Sequence, residues 1–320
     1  MAQHFLLSAA ARTLSLKMIF QEGEESAYWR FRRLRWPETD GAPVCPACGC
    51  LDVYDLTTRR RFKCAACHHH FSVTSGTIFA ARKRSFADLL GAICLFVNAS
   101  KGLSAVQLSR DLDIQYKTAF VLMHKLREVM AAETREMRLS GHVEVDGAAF
   151  GGHVRPANAR EDRVDRRLLG NRSDKRRVVV VLRQRGGRTL TRTFLREAEG
   201  VTFAKERILP GSAISADEIA HWDLLEPSFQ VHRINHSDAY SHDGINTNLA
   251  EGYFARLRRM IGGQHHRVGG QLLGTYAAHA AWLEDHRGQS NGALTDRLIA
   301  TALAVPVSRS WKGYWQRHAA

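Results

Sequence analysis

The chain has 320 residues, 44% of them hydrophobic, with a formal net charge of +14 and a pI near 9.9. Its length allows two or three modules with buried cores, and it contains no uninterrupted apolar segment long enough for a membrane span. The first twenty residues lack the long apolar region of a secretion signal, so a cytosolic location is expected. The charge favours a polyanionic partner but does not specify which one.

A basic helix is predicted over residues 21–36, ahead of the first cysteines. Arginines alternate there with aromatic and aliphatic residues, and Pro37 follows directly. Because proline is excluded from a helix interior, we expect this helix to end before Pro37.

Four of the six cysteines form two Cys-x2-Cys pairs, Cys45 with Cys48 and Cys64 with Cys67. This spacing is typical of a zinc ribbon, in which four thiolates surround one ion and leave no open position, so a structural site is predicted. Residues between the pairs are predicted to form a hairpin, with strands at 53–56 and 61–63. Two cysteines lie outside the pattern, Cys50 and Cys94, and we expect them to be free thiols. The histidines that follow the last ligand, His68 to His70, are expected to form a solvated or DNA-facing cluster, although one of them could substitute as a zinc ligand.

The region 85–131 is predicted to be helical, with Ser85 and Ser104 as N-caps of its first two helices. A short turn at 113–114 gives a helix-turn-helix arrangement. A plain three-helix packing module has the same pattern, and the positive charge favours the DNA-binding alternative. The last helix would then present polar residues to base edges: Gln115, Tyr116, Lys117 and Thr118.

From His142 onward, short β-branched runs alternate with helical stretches, which predicts an α/β domain. Strands are predicted near 142–146, 177–183, 189–195, 212–216 and 229–234, and helices near 201–208, 218–225 and 247–261. The segment 155–177 is polar and basic and is predicted to be a mobile arm. Its cations, including Arg163, Arg166 and Arg167, are expected to hold the DNA backbone without sequence preference.

Three acidic residues in this domain form a candidate catalytic site. Asp146 and Asp217 each end a predicted strand, and Glu251 lies on the helix near 247–261. Such carboxylates can converge at one edge of a sheet, where they repel one another unless divalent cations lie between them. Oxygen ligands favour Mg²⁺ or Mn²⁺, and two ions about 4 Å apart can activate the attacking oxygen and stabilise the leaving one at a phosphodiester. Asn248 and Arg258 share the helix face of Glu251, and Arg258 is predicted to bind a DNA phosphate.

Four sequence segments carry a resemblance to a known family. They are Pro43-Val-Cys-Pro-Ala-Cys48, Val143-Glu-Val-Asp-Gly-Ala-Ala-Phe-Gly-Gly152, Asn235-His-Ser-Asp-Ala-Tyr240 and Asn246-Thr-Asn-Leu-Ala-Glu-Gly-Tyr-Phe-Ala-Arg-Leu-Arg-Arg259. Together they resemble the zinc-ribbon DDE transposases of bacterial insertion sequences, the group with an ISXO-like transposase domain. The likeness extends from the basic helix to about Arg287.

The resemblance implies a ribonuclease-H-like fold, a two-metal DDE site and mobilisation of an insertion sequence. It implies Asp146 and Asp217 as the two aspartates and Glu251 as the third acid, with Asn248 as an alternative. It also implies structural zinc, catalytic Mg²⁺ or Mn²⁺, element-end and target DNA as partners, assembly as a homo-oligomer on DNA, and a nucleoid-associated location in a bacterial cytoplasm. The chain departs from the family pattern at Gly147, where an acid is frequent, and at His279, where glutamate is frequent.

The expected organisation has five parts: an N-terminal helical segment (1–40), the zinc ribbon (41–80), a helix-turn-helix-like module (81–138), the ribonuclease-H-like domain (139–290) and a C-terminal tail (291–320). The function expected from all of these features is transposition. A sequence-specific DNA-binding regulator with an inactive nuclease-like domain is the alternative, and a repair or junction nuclease would share the same chemistry. Divalent-metal-dependent cleavage of DNA distinguishes the regulator from the two enzymes.

Overall fold

The computed structural model describes residues 4–152, 157, 159–165, 175–234 and 246–317. The chain divides into two compact units, Met1–Glu133 with His286–Ala320, and Thr134–Asp285. Within the described ranges, no helix has both the length and the apolar character that crossing a membrane requires.

The described residues form α-helices and β-strands in an order close to the predicted one. The helices are α1 (Leu16–Arg35), α2 (Phe86–Asn98), α3 (Ala105–Asp111), α4 (Tyr116–Glu133), α5 (Gly200–Arg207), α6 (Asn248–Met260), α7 (Gly270–Asp285), α8 (Asn291–Ala304) and α9 (Tyr314–Arg317). The strands are β1 (Val53–Leu56), β2 (Arg61–Cys64), β3 (His70–Phe71), β4 (His142–Gly151), β5 (Arg176–Gln184), β6 (Thr189–Phe194), β7 (Ala213–Asp217) and β8 (Gln230–Ile234).

In the first unit, α1 starts earlier than predicted because Ser15 caps it by accepting a hydrogen bond from the Met18 amide. A left-handed Gly23 breaks it (φ 79°), and it ends one residue before the Trp36–Pro37 pair. The backbone dihedral angles of Trp36 are not helical, as expected for a residue that precedes proline.

The antiparallel strands β1, β2 and β3 form the ribbon of the same unit. Aromatic rings join the ribbon to α1, since Trp36 packs against Phe62 and Phe71 with centroids 5.7 and 6.4 Å apart. The buried Arg32 of α1 lies 5.2 Å from the Phe62 ring centroid. The ribbon and the basic helix are therefore one packed module.

Helices α2, α3 and α4 confirm the predicted helical region. The hydroxyls of Ser85 and Ser104 accept hydrogen bonds from the amides of Asp88 and Gln107, which are the predicted cap contacts. Between α3 and α4, Asp113 adopts a left-handed conformation (φ 47°) in a short turn.

The stretch 291–320, predicted as a tail, contains α8 and α9. Helix α8 packs against α1, α2 and α4 and buries its apolar face, including Leu298 and Ile299. It belongs to the first unit because this face covers the helical core. Local sequence patterns do not reveal such a long-range pairing.

The second unit is built on a five-stranded mixed sheet with the strand order β6-β5-β4-β7-β8. Strands β4, β5 and β6 pair antiparallel, whereas β7 and β8 run parallel to β4. This arrangement is consistent with the ribonuclease-H-like domain expected from the sequence. Strand β4 extends to Gly151, beyond the predicted residue 146, because β5 pairs with it from Val143 to Gly151.

Each face of this sheet is covered by helices. On one side, Val143, Val145 and Ile214 pack with Trp222 and α5 in an apolar core. On the other side, α6 contacts β4 and β5, and α7 contacts β5 and β6. Polar residues of β4 and β7, among them Glu144, alternate with the core residues and belong to the side covered by α6. The predicted helix at 218–225 is a 3₁₀-helix, Ala220–Leu225.

Candidate functional site

Asp146 and Asp217 lie next to each other because of the parallel pairing of β4 and β7. In that register Val145 pairs with Ala216, so the next residue on each strand is one of the two aspartates. Asp217 is the last residue of β7, and its strand neighbour on the other side is Ile234 of β8. Both carboxylates are partly buried. The structure thus brings together the two predicted aspartates.

A third carboxylate, Glu197, joins the two aspartates. Oxygen atoms of Asp146, Glu197 and Asp217 all lie within 4.8 Å of one another, close enough to hold a divalent cation. Glu197 begins the 3₁₀-helix Glu197–Glu199, in the connection between β6 and α5. An all-oxygen donor set fits Mg²⁺ or Mn²⁺ better than zinc.

Gly147 provides the space that Glu197 occupies. A Cβ atom added to Gly147 would lie 2.4 Å from the carboxyl carbon of Glu197 and 2.5 Å from its Oε1. The acid that the family resemblance leads us to expect after the first aspartate is missing, and a carboxylate from another segment lies beside that position. A side chain at position 147 would therefore require the Glu197 carboxylate to move.

We expect Gly147→Ala to displace Glu197 and to weaken divalent-ion binding roughly 10–100-fold, as other changes around metal ligands do. The backbone of Gly147 is not left-handed, so alanine introduces the contact without backbone strain. Calorimetric titration with Mn²⁺ measures the effect. Gly252→Ala, which adds a methyl group to open space, is the matched control. Parental affinity in Gly147→Ala would refute this expectation.

The acidic cluster is electrostatically unfavourable without a cation. Burial, and then the neighbouring Asp217 carboxylate, raises the pKa of Asp146 to about 7, with smaller contributions from Glu197 and Glu251. Burial and Asp217 likewise raise the pKa of Glu197 to about 7. Carboxyl groups that resist ionisation in the folded chain are suited to a position where a bound cation offsets their charge.

The raised pKa values predict a pH-dependent stabilisation by divalent ions. Without metal, Asp146 and Glu197 bind protons more tightly in the folded than in the unfolded chain, so their contribution to stability is complete below about pH 4 and is lost as pH rises through 7. Protons therefore compete with the ion for these carboxylates much more at pH 6 than at pH 8. We therefore expect Mg²⁺ to raise the melting temperature more at pH 8 than at pH 6. An equal rise at both pH values would contradict the assignment of these groups to the ion site.

Glu251, the predicted third acid, lies in the first turn of α6 and is not one of the three clustered residues. Its negative charge nevertheless makes the smallest of the contributions to the raised pKa of Asp146. Asn248 and Arg258 are exposed on the same helix, and the Arg258 guanidinium lies 5.7 Å from the Phe254 ring centroid. His279 is buried in α7.

Glu197 was not predicted from the sequence. It stands near a second glutamate, Glu199, after an edge strand, and no spacing rule selects either of them. The available indication was Gly147, because a glycine inside a strand often marks a place where another group approaches closely.

The four predicted zinc ligands form a second cluster. The sulfur atoms of Cys45, Cys48, Cys64 and Cys67 all lie within 4.8 Å of one another. Cys45 and Cys67 are 3.6 Å apart, and Cys48 and Cys64 are 3.5 Å apart. Sulfurs about 2.3 Å from a tetrahedral zinc ion stand about 3.8 Å apart, so the cluster has the size that zinc requires.

Both Cys-x2-Cys pairs have the same backbone geometry. A left-handed residue follows each pair, Gly49 with φ 74° and His68 with φ 57°. The amides of these two residues donate to the carbonyl groups of Cys45 and Cys64. Amide donors, first that of Cys67, lower the pKa of the Cys64 thiol to about 6, whereas hydrogen bonds from neighbouring thiols raise the pKa of Cys48. His68 thus has a backbone role, and His69 stacks on Phe71.

The predicted DNA-binding residues lie in both units. Lys117 is exposed at the start of α4, with its ammonium group 5.3 Å from the Trp315 ring centroid. Arg163 is exposed and donates to the Ala157 carbonyl. Arg166 and Arg167, the other two predicted contacts of the basic arm, lie outside the described residues.

Comparison with known protein families supports both the acidic cluster and the four-cysteine cluster. Residues 138–285 match the ISXO2-like transposase domain, and residues 22–70 match the transposase zinc-ribbon domain. The first range contains the acidic cluster, and the second contains the four clustered cysteines and most of α1. No curated protein and no solved structure matches the chain. The chain therefore contains a transposase zinc-ribbon domain followed by an ISXO2-like DDE transposase domain.

Proposed function

We propose that this chain cleaves and joins DNA phosphodiester bonds at the ends of an insertion sequence. The observation that carries the proposal is the convergence of Asp146, Glu197 and Asp217 within 4.8 Å in the ISXO2-like domain. The chemistry requires several oxygen ligands around divalent ions, and this cluster supplies them.

In this proposal, Asp146 and Asp217 share the divalent ions, since their strands place them side by side. Glu197 adds a ligand from the β6–α5 connection, and Glu251 completes the set from α6. Bound Mg²⁺ or Mn²⁺ would activate the attacking oxygen and stabilise the leaving oxygen. Asn248 is the alternative to Glu251, one helical turn earlier on α6. The four clustered cysteines hold a structural zinc ion in the ribbon.

Two features support DNA binding: the helix-turn-helix-like pair of helices and the exposed positively charged side chains. Helices α3 and α4 form a helix-turn-helix-like pair, with Lys117 exposed at the start of the second helix. On α6, Arg258 is exposed and suited to a backbone phosphate. The basic arm, through Arg163, Arg166 and Arg167, would add affinity that does not depend on sequence. The DNA partners are the element ends and the target, on which the chain would assemble as a homo-oligomer.

Cleavage assays on defined DNA test this function. We expect nicking or cutting of DNA that carries the element's ends when Mg²⁺ or Mn²⁺ is present, and none with a chelator. DNA of equal length without those ends is the matched substrate control. Equal cleavage of both substrates would favour a general nuclease. Sequence-specific binding without cleavage in either ion would favour the regulator.

A further inference from the structure

Glu144 is a buried carboxylate two positions before Asp146 on β4. Glu144 is 0% exposed. An unpaired charge in such a buried place would be strongly destabilising, so its partners matter. The structure gives Glu144 a specific set of partners in two other segments, and these partners indicate its role.

The first partner is the N-terminus of α6. One carboxylate oxygen of Glu144, Oε2, accepts hydrogen bonds from the amides of Leu249 (2.8 Å) and Ala250 (3.1 Å). These are the amides that an N-cap side chain ordinarily satisfies. The local cap residue, Thr247, makes no such side-chain bond. Glu144 therefore caps α6 from a distant strand, and its charge suits the positive end of the helix.

The second partner is Arg185, which follows β5. Its Nε lies 3.0 Å from Glu144 Oε1, and its Nη2 donates to the Asn246 carbonyl at 3.1 Å. Arg185 thus binds both the capping carboxylate and the chain just before α6. The amide of Arg185 also donates to the His142 carbonyl at the start of β4. Glu144 and Arg185 together link β4, the end of β5 and the start of α6.

This link places Glu251 relative to the two aspartates. Glu251 follows the capped residues Leu249 and Ala250 directly, so a shift of the helix end moves Glu251 with it. At the other end of the link, Glu144 and Asp146 share a strand and lie on the same side of it. The distance between Glu251 and Asp146 therefore depends on the Glu144 contacts.

We propose that Glu144 and Arg185 are positioning residues, which hold α6 so that Glu251 faces the divalent-ion site of Asp146 and Asp217. The inference rests on the proposed function, because it requires Glu251 to act on the bound ions. In this role Glu144 contacts neither the ion nor DNA. Its effect on the ions passes through Glu251 alone.

The ion affinity of the zinc-loaded full chain, measured by calorimetric titration with Mn²⁺ in the absence of DNA, tests the proposal. We expect Glu144→Gln to weaken Mn²⁺ binding roughly 10–100-fold, the usual effect of losing a group that orients a ligand. Glu206→Gln is the matched control, because Glu206 forms an exposed ion pair with Arg192 in the same unit. A purely structural role would lower the melting temperature of Glu144→Gln and leave its Mn²⁺ affinity unchanged, which would overturn the proposal.

A double-mutant cycle tests whether Glu144 acts through Glu251. If it does, Glu144→Gln combined with Glu251→Gln binds Mn²⁺ no more weakly than Glu251→Gln alone. A combined loss equal to the product of the two single losses would overturn the proposal, and so would unchanged affinity in Glu251→Gln. Asp146→Asn distinguishes a failure of this proposal from a failure of the proposed ion site. If this variant binds Mn²⁺ as tightly as the parent does, the ion site itself is wrong.

A variant at Arg185 covers the case in which Glu144→Gln does not fold. Arg185→Gln leaves the bonds from Glu144 to α6 in place and changes a side chain that is 29% exposed. We expect a smaller weakening of Mn²⁺ binding in the same direction, with DNA binding in a chelator unchanged. Parental Mn²⁺ affinity in a folded Arg185→Gln variant would overturn the role of the pair.

Discussion

Replacing Asp146 or Asp217 by asparagine should abolish DNA cleavage, with a loss of at least roughly a thousandfold. Asparagine keeps the shape of aspartate but lacks the charge that offsets a divalent ion, and ion stabilisation of the reacting oxygens amounts to several kcal/mol. DNA binding should persist, because the ribbon and the helices α2 to α4 belong to the other compact unit. Cleavage of end-bearing DNA and gel-shift titration in a chelator measure the two properties separately.

Further variants identify the remaining ligands. Glu197→Gln and Glu251→Gln should both lose cleavage if both carboxylates act on the ions. If Glu251→Gln stays active and Asn248→Ala does not, the third role moves one turn along α6. Should both aspartate variants cut DNA as well as the parent does, the nuclease site is placed wrongly and the regulator becomes the better description.

Removing zinc should unfold the ribbon. The ribbon has a small aromatic core, formed by Phe62 and Phe71 with Trp36, which is too small to be stable alone. Structural zinc binding in small modules is worth about 10–16 kcal/mol, and that free energy is folding free energy. We expect about one zinc ion per chain, and we expect Cys45→Ser or Cys64→Ser to lose it together with the local fold.

Metal analysis and proteolysis test this expectation. Zinc content is measured on purified protein, and cleavage within residues 41–80 reports the local unfolding. Cys50→Ser is the matched control, since Cys50 lies outside the four-sulfur cluster and should keep both zinc and protease resistance. Protein that lacks zinc, with all four thiols freely reactive under native conditions, would be decisive evidence against the site.

Much of the local structure could be predicted from the sequence because its causes are local. Ser85 and Ser104 cap helices within their own turns, so the starts of α2 and α3 follow from a few neighbouring residues. The two Cys-x2-Cys pairs need only a tight turn each to present two sulfurs. Asp146 and Asp217 could be assigned to one sheet edge because each follows an apolar strand.

The rest was decided by tertiary structure, because it depends on which faces pack together. Glu197 reaches the two aspartates from the connection after an edge strand, through space that Gly147 leaves open. Helix α8 joins the N-terminal unit by burying Leu298 and Ile299 against helices far away in the sequence.

The position of α6 shows the same division. The sequence alone determined that residues near 247–261 form an amphipathic helix carrying Glu251, since a period of 3.6 residues is visible in any such segment. It did not determine where that helix begins in space. That depends on Glu144, whose carboxylate caps α6 from 105 residues earlier in the chain. A contact over such a separation leaves no local pattern, because it exists only when the sheet and the helix have come together.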